Sequence, residues 1–279
     1  MPLMPSIQIV ENSTMLNMRH MDPGCIQINS GTMSARFLKD SPITYSSNAY
    51  VPKQDWRSPT SLEWDILRSK ESCPDHLRVG IIRIPEDHFS CFYKLGLAQI
   101  KTLEDTQTLI TDPGYPTALA TLLQTISPHV LSFDPNTALN LGYGISGLYT
   151  STKRNIDTLL GLHLDHWDKQ PLYERKNSQN RLCINMGQSP RFFQFINLSV
   201  EAIFELCQKK GLMDVQDVDD LHLLVSLFLE NFSNYPVVRI KLQPGEAYIA
   251  PTENCIHDGS TLGQPYCDLQ LTIRGRISL

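Results

Sequence analysis

The sequence is poor in several features that mark particular protein classes. Its 24 basic residues are outnumbered by 29 acidic ones, giving a net charge of −5, and no cluster of Lys and Arg offers a surface for nucleic acid or anionic lipid. No apolar run reaches the roughly 18 residues of a membrane span. The first segment, Met1 to Ser30, has no charged stretch followed by an apolar one, so we expect no secretion signal. These absences predict a cytoplasmic protein without nucleic-acid or membrane partners.

Cysteine usage also excludes two kinds of stabilisation. The chain has seven cysteines, an odd number, and no CxxC pair. A disulfide framework is therefore not expected, and no spacing suits a thiolate zinc site. We expect most of these cysteines to be small buried hydrophobes of a reducing compartment.

What the sequence does contain is a series of strand-like segments separated by turns. Eighteen prolines and fifteen glycines indicate many turns and loops. Residues 139–149 are punctuated by glycine and fit no single state. Segments rich in apolar and β-branched residues predict strands at 77–84, 130–133, 157–164, 181–186, 191–198, 237–242, 247–250 and 269–277.

Helical signals are fewer. Ser58, a nearby proline and an acidic residue in the first turn predict a helix that starts there and runs to about Lys70. A second helix is predicted at 116–126. Residues 200–210 and 218–232 have apolar side chains at helical spacing, which predicts two helices inserted between strands.

Many strands with helices outside them predict a mainly β fold, either a β-sandwich or a jelly roll with helical additions. We expect a single domain over residues 1–279. In it, an N-terminal extension and helix occupy 1–75, the β core occupies 77–198 and 237–279, and a helical insertion occupies 199–235.

The sharpest local feature is an HxD motif formed by His163 and Asp165. Positions two apart on a strand point to the same face, so both side chains can aim inward while Leu164 points the other way. A second histidine from a distant strand would complete a set of two imidazoles and one carboxylate, which leaves metal positions open. The structural alternative for this motif is an ordinary hydrogen-bonded His–Asp pair.

The distal part of the chain supplies an ordered series of further features. A Pro-Gly-acid turn at Pro244 precedes a strand, which leads to His257 beside a Gly-Ser pair. The last strand then carries two basic residues, Arg274 and Arg276.

Together these motifs resemble the iron(II)/2-oxoglutarate-dependent oxygenase superfamily, in particular small-molecule hydroxylases of the phytanoyl-CoA hydroxylase-like or clavaminate synthase-like kind. The resemblance covers about residues 156–279 and implies a double-stranded β-helix core of the jelly-roll or cupin-like type. It implies that His163, Asp165 and His257 bind Fe(II), with 2-oxoglutarate and O2 as cosubstrates. The implied reaction hydroxylates an unactivated C–H bond of an amino acid or natural-product intermediate and releases succinate and CO2.

The resemblance also implies a basic residue that binds the far carboxylate of 2-oxoglutarate. Arg274 is the first choice, because a guanidinium holds a carboxylate in a bidentate, charge-assisted geometry. Arg276 lies on the same strand face and is its rival; the plain reading of either is solvation of a strand end. Asn185 and Arg181, on one face of a preceding strand, are candidates for contact with cosubstrate or substrate. Trp167 either walls the pocket or packs.

Other classes remain open at this stage. His163, Asp165 and His166 overlap the HxHxDH segment of metallo-β-lactamase-like zinc hydrolases, although Gly161 stands where the leading histidine would be. A non-catalytic β-sandwich binding protein would use the same residues structurally, and a cupin-like metalloenzyme would not need 2-oxoglutarate. The sequence leaves the oligomeric state undetermined.

Overall fold

Two facing β-sheets organise the part of the chain that the computed structural model describes, and smaller sheets and helices surround them. The described residues are 1–10, 23–39, 41–68, 73–133, 139–155, 157–214 and 220–278. Their strands are β1 (Gln8–Val10), β2 (Ile26–Ile28), β3 (Thr32–Ser34), β4 (Thr44–Tyr45), β5 (Tyr50–Pro52), β6 (Arg78–Arg83), β7 (Val130–Ser132), β8 (Leu139–Gly144), β9 (Lys153–Asn155), β10 (Thr158–Leu159), β11 (Asn180–Asn185), β12 (Arg191–Phe195), β13 (Val238–Leu242), β14 (Glu246–Ala250), β15 (His257–Ser260) and β16 (Asp268–Ile277). The α-helices are α1 (Ser61–Leu67), α2 (Ser90–Lys94), α3 (Leu103–Thr111), α4 (Tyr115–Ile126), α5 (Val200–Lys209) and α6 (Leu221–Asn231).

The larger sheet has the strand order β1-β6-β14-β11-β16-β7, and β8 also pairs with β16. Its β1–β6 pair is parallel, whereas the other pairs in this sheet are antiparallel. The smaller sheet has the order β15-β12-β13-β2. An aromatic stack joins the two sheets, because Phe193 of β12 lies over Tyr248 of β14 with ring centroids 4.0 Å apart.

Side-chain alternation gives the two faces of the larger sheet different roles. Leu182 of β11 and Ile249 of β14 point outward and pack with apolar residues of α2, α3 and α4, such as Leu122. Their neighbours Cys183 and Tyr248 point inward and belong to the core shared with the smaller sheet. The period of two in the sequence therefore separates a helix-covered face from an interior face.

The predicted elements agree with the structure in most places. The predicted strands at 77–84, 181–186 and 191–198 correspond to β6, β11 and β12, and the predicted insertion contains α5 and α6. The predicted start of the second inserted helix at 218 lies outside the described residues. The mainly β fold with helices is confirmed.

Two predicted boundaries were wrong. The expected strand at 157–164 is a strand only over β10, because Gly161 adopts a left-handed φ of 77° and turns the chain. The first helix begins after Thr60, which caps it together with Glu63. It ends at Leu67, before the predicted Lys70, because Arg68 is extended.

No α-helix among the described residues is both long enough and apolar enough to cross a membrane.

Candidate metal centre

The candidate ligands come together because two distant chain segments meet. His163 and His257 form an isolated antiparallel bridge. In it, the amide of His163 donates to the carbonyl of His257 at 3.1 Å, and the reverse bond is 2.8 Å. Two residues further on, the amide of Asp165 donates to the carbonyl of Thr252 at 3.2 Å. The backbone thus fixes the HxD segment against the segment that ends in β15.

The three side chains form a group whose ligand atoms all lie within 4.8 Å of one another. Oδ1 of Asp165 is 3.6 Å from Nε2 of His163, and Oδ2 is 3.8 Å from Nε2 of His257. Asp165 and His257 are buried, and His163 is partly buried. These are two imidazoles and one carboxylate, the donor set predicted from the sequence.

The orientation of both imidazoles fits a metal ion. Nδ1 of His163 lies 3.0 Å from the carbonyl of Gly161, and Nδ1 of His257 lies 3.0 Å from the carbonyl of Cys255. A proton on each Nδ1 satisfies these carbonyls, so Nε2 is the nitrogen of each ring that faces the position of a metal ion. Nε2 of His257 is buried without a hydrogen-bond partner. A buried polar atom without a partner is costly, and a metal ion is the partner that this geometry suits.

Acidic residues on both sides control the charge of His163. Its Nδ1 lies 3.4 Å from Oδ2 of the buried Asp258. Burial by itself lowers the pKa of His163, but Asp165 and Asp258 outweigh it and raise the pKa to about 10. Oδ1 of Asp258 accepts bonds from the amides of Ser151 and Thr152 at 3.1 and 3.0 Å. Asp258 therefore joins the ligand His163 to a loop beside the site.

The other two candidate ligands are held in the forms that bind metal. Burial lowers the pKa of His257 to about 4, so its imidazole is neutral at pH 7. Burial raises the pKa of Asp165, but its interactions with His257, His163 and Arg181 hold it below its usual range. Nη2 of Arg181 lies 2.7 Å from Oδ2 of Asp165. The carboxylate is therefore ionised.

A cavity of about 490 Å³ opens beside His257, between the two sheets. Its lining includes one buried acid, Asp268, and the polar side chains Asn140, Gln270 and Thr272. It also includes four basic residues, which are Lys153, Arg181, Arg191 and Arg274. Arg181, Arg191 and Arg274 each pair with a carboxylate, and their guanidinium groups are the type of donor that binds an anionic ligand.

The two arginines of the last strand differ in position. Arg274 lines the cavity, where its Nη2 is 2.9 Å from Oδ1 of Asp168 and 3.4 Å from Oε1 of Glu253. Its guanidinium also lies over the exposed ring of Trp167, 5.2 Å from the centroid. Arg276 is exposed and is not among the lining residues.

Two further sequence predictions receive different outcomes. Arg181 lines the cavity and contacts Asp165, as described above. Asn185 does not line it: its amide nitrogen donates to the carbonyls of Ser189 and Leu242, and its oxygen accepts from the amide of Gly187. The side chain of Asn185 thus closes the turn between β11 and β12, and its contact with cosubstrate or substrate stays a prediction.

Sequence reasoning missed Arg191, which is buried at the start of β12. Its Nε donates to Oδ1 of Asp268 at 3.0 Å, and its Nη1 donates to Sγ of Cys183 at 2.9 Å. A Cβ on Gly259 would come within 2.7 Å of its Nη2, so the absence of a side chain there makes room for the guanidinium. The sequence signal for this position is a charged residue at the start of the mainly apolar strand β12.

His166 does not join the ligand group, because it contacts Nη2 of Arg175 instead. With Gly161 in place of the leading histidine, the HxHxDH arrangement of a zinc hydrolase is absent from this segment. Trp167 is 65% exposed and lines the cavity, whereas Phe193 and Phe195 are core residues.

Comparison with known proteins gave structural similarity only. No protein-family model matches the chain, and no curated protein matches it. The chain is similar to the Kdo hydroxylase KdoO, a non-heme Fe(II) alphaketoglutarate-dependent dioxygenase. With its apo structure the TM-score is 0.38 and the identity 16%, over 71% of this chain and 79% of that chain. With its complex with alphaketoglutarate and Fe(III), the TM-score is 0.37 and the identity 16%, over the same shares. Because these TM-scores lie below 0.5, we base the functional inference on the site of this chain.

Proposed function

We propose that this chain is an iron(II)- and 2-oxoglutarate-dependent dioxygenase that hydroxylates an unactivated C–H bond of a small molecule. The observation that carries the proposal is the convergence of His163, Asp165 and His257 beside a cavity rich in arginine. A structural His–Asp pair would leave no buried nitrogen unsatisfied, whereas Nε2 of His257 has no partner. This favours a metalloenzyme over a non-catalytic binding protein.

Two neutral imidazoles and one carboxylate are the ligand set typical of non-haem Fe(II) oxygenases with open metal positions. In the proposed enzyme, His163, Asp165 and His257 hold the iron. Bound iron would supply, with O2 and 2-oxoglutarate, the oxidising power for hydroxylation, and 2-oxoglutarate would be converted to succinate and CO2. The protein keeps Asp165 ionised through Arg181 and holds the tautomers of both imidazoles through backbone carbonyls.

The cavity suits 2-oxoglutarate because this cosubstrate carries two carboxylates. We propose that Arg274 binds the carboxylate far from the metal, since its guanidinium reaches the cavity and Arg276 does not. Arg191 is the alternative anchor, although Asp268 and Cys183 already occupy several of its donors. A cupin-like enzyme that does not use 2-oxoglutarate would not need this positive charge.

The walls of the cavity support a small substrate. Tyr248 lines one side of the cavity and is stacked on Phe193. Tyr143, Asn140 and Trp167 contribute to the lining. About 490 Å³ accommodates 2-oxoglutarate with a molecule of the size of an amino acid or a compact natural-product intermediate, which is the substrate class that we propose.

We also propose that the two facing sheets form a double-stranded β-helix of the jelly-roll type. The order β8-β16-β11-β14 opposite β15-β12-β13 supports this proposal. The division into an N-terminal extension, a β core and a helical insertion within one domain remains a proposal as well.

The test is loss of metal binding and turnover in ligand variants. His163→Ala and Asp165→Ala should abolish Fe(II) binding in anaerobic titrations and 2-oxoglutarate-dependent succinate formation. His222→Ala is the control, because it removes an exposed imidazole that lies outside the group. Full activity in either ligand variant would remove the proposed site.

A further inference from the structure

The loop that follows Asp165 is connected to the loop before His257 by a buried ion pair. Arg175 and Glu253 are each 1% exposed, and Nη1 of Arg175 lies 3.3 Å from Oε2 of Glu253. The same nitrogen donates to the backbone carbonyl of Asp165 at 2.9 Å and to that of Glu253 at 2.6 Å. One guanidinium nitrogen thus touches both ligand-bearing segments.

The other carboxylate oxygen of Glu253 extends the connection. Oε1 accepts from the amide of Trp167 at 2.8 Å and from the amide of Asp168 at 3.4 Å. It also lies 3.4 Å from Nη2 of Arg274. Glu253 therefore contacts the backbone just after the ligand Asp165 and, at the same time, an arginine of the cavity.

We propose that Glu253 and Arg175 are positioning residues of the metal site. They set the separation between the loop that carries Asp165 and the loop that leads to His257. This inference rests on the proposed metal site. Neither Glu253 nor Arg175 is itself a proposed metal ligand. The reason is geometric: the backbone carbonyl of Asp165 is held by Arg175, and Arg175 is held by Glu253, which stands four positions before His257 in the sequence.

If the pair only stabilised the fold, removing it would lower the stability of the protein but leave metal binding by the folded protein unchanged. Removing one partner of a buried pair is strongly destabilising, because it leaves an uncompensated charge, whereas neutralising both partners often is not. The double variant Glu253→Gln/Arg175→Gln has no buried charge left at this position. The shorter glutamine side chain at position 175 does not reach both the carbonyl of Asp165 and that of Glu253. The two loops therefore lose this connection, although no unpaired charge is left in the interior.

Anaerobic Co(II) titration tests the proposal, with the d–d absorption spectrum of the bound ion as the readout. We expect Glu253→Gln and the double variant to bind Co(II) roughly 10- to 100-fold more weakly, the range typical of residues that orient metal ligands, with an altered spectrum. The double variant should recover thermal stability relative to Glu253→Gln without recovering Co(II) affinity. Glu63→Gln is the matched control, because it removes a carboxylate paired with an exposed arginine in the N-terminal part.

The outcomes separate the two proposals. Wild-type affinity and spectrum in the double variant would overturn the positioning role, even if Glu253→Gln does not fold. Absence of Co(II) and Fe(II) binding in the folded wild-type protein would instead overturn the proposed function, and the positioning role with it.

Discussion

Substitution of Arg274 by methionine should weaken the binding of 2-oxoglutarate, because it removes the contact with the carboxylate that lies far from the metal. A hydrogen bond to a charged group contributes about 1.5–3 kcal/mol, which corresponds to about 10- to 150-fold in a dissociation constant. The side chain of Arg274 is 19% exposed and already contacts Asp168 and Glu253. Competition and solvent screening therefore place the expected loss in the lower part of that range, about 10- to 30-fold.

The assay compares 2-oxoglutarate with 2-oxopentanoate, which has the same carbon chain but lacks the second carboxylate. Both are titrated anaerobically into the Fe(II)-loaded protein. Arg274→Met should lower the affinity for 2-oxoglutarate and leave the affinity for 2-oxopentanoate within about twofold. Arg276→Met, the exposed control, should change neither. If Arg191→Met shows the carboxylate-specific loss and Arg274→Met does not, the reasoning is refuted and the anchor is Arg191.

Two further predictions concern the metal ligands. Because Asp165 and Asp258 raise the pKa of His163 to about 10, this imidazole carries a proton at pH 7 that a metal must displace. Co(II) affinity should therefore rise roughly tenfold per pH unit from pH 7 to 9, with about one proton released in calorimetry; an affinity independent of pH would contradict this. Asp258→Asn should lower the pKa of His163, because one of the two carboxylates that raise it is neutralised, so the rise of Co(II) affinity with pH should level off at a lower pH than in the wild-type protein. The exposed Asp157→Asn serves as control, and the same pH dependence in the two variants would show that Asp258 has no such role.

The candidate ligand group could be predicted from the sequence because its parts are local and ordered. Two ligands lie two positions apart, so their common direction follows from extended backbone alone. His257 was identified from the features around it, namely the preceding turn and strand and the following basic strand. The contact between His257 and His163 depends on a bridge between distant segments, which no local pattern determines.

Other parts of the site could not be predicted for physical reasons. Alternation places Asn185 on the same face of β11 as Arg181, but it does not reveal that the amide of Asn185 is used by backbone groups of the next turn. The sequence shows a charged residue at the start of β12, but it does not show that Arg191 is buried, because its partner Asp268 is far along the chain. The same holds for Arg175 and Glu253. The break in the strand before His163 depends on the left-handed φ of Gly161. The apolar pattern around Gly161 predicts a continuous strand and gives no sign of this turn.

The most direct test of the central claim is an anaerobic titration of the protein with Fe(II), followed by 2-oxoglutarate. If His163, Asp165 and His257 hold iron beside the arginine-lined cavity, addition of the keto acid should produce the weak visible charge-transfer band of chelated 2-oxoglutarate. His257→Ala should not produce it. Absence of the band in folded wild-type protein would contradict the proposed oxygenase function, and an equal band in His257→Ala would contradict the proposed ligand set.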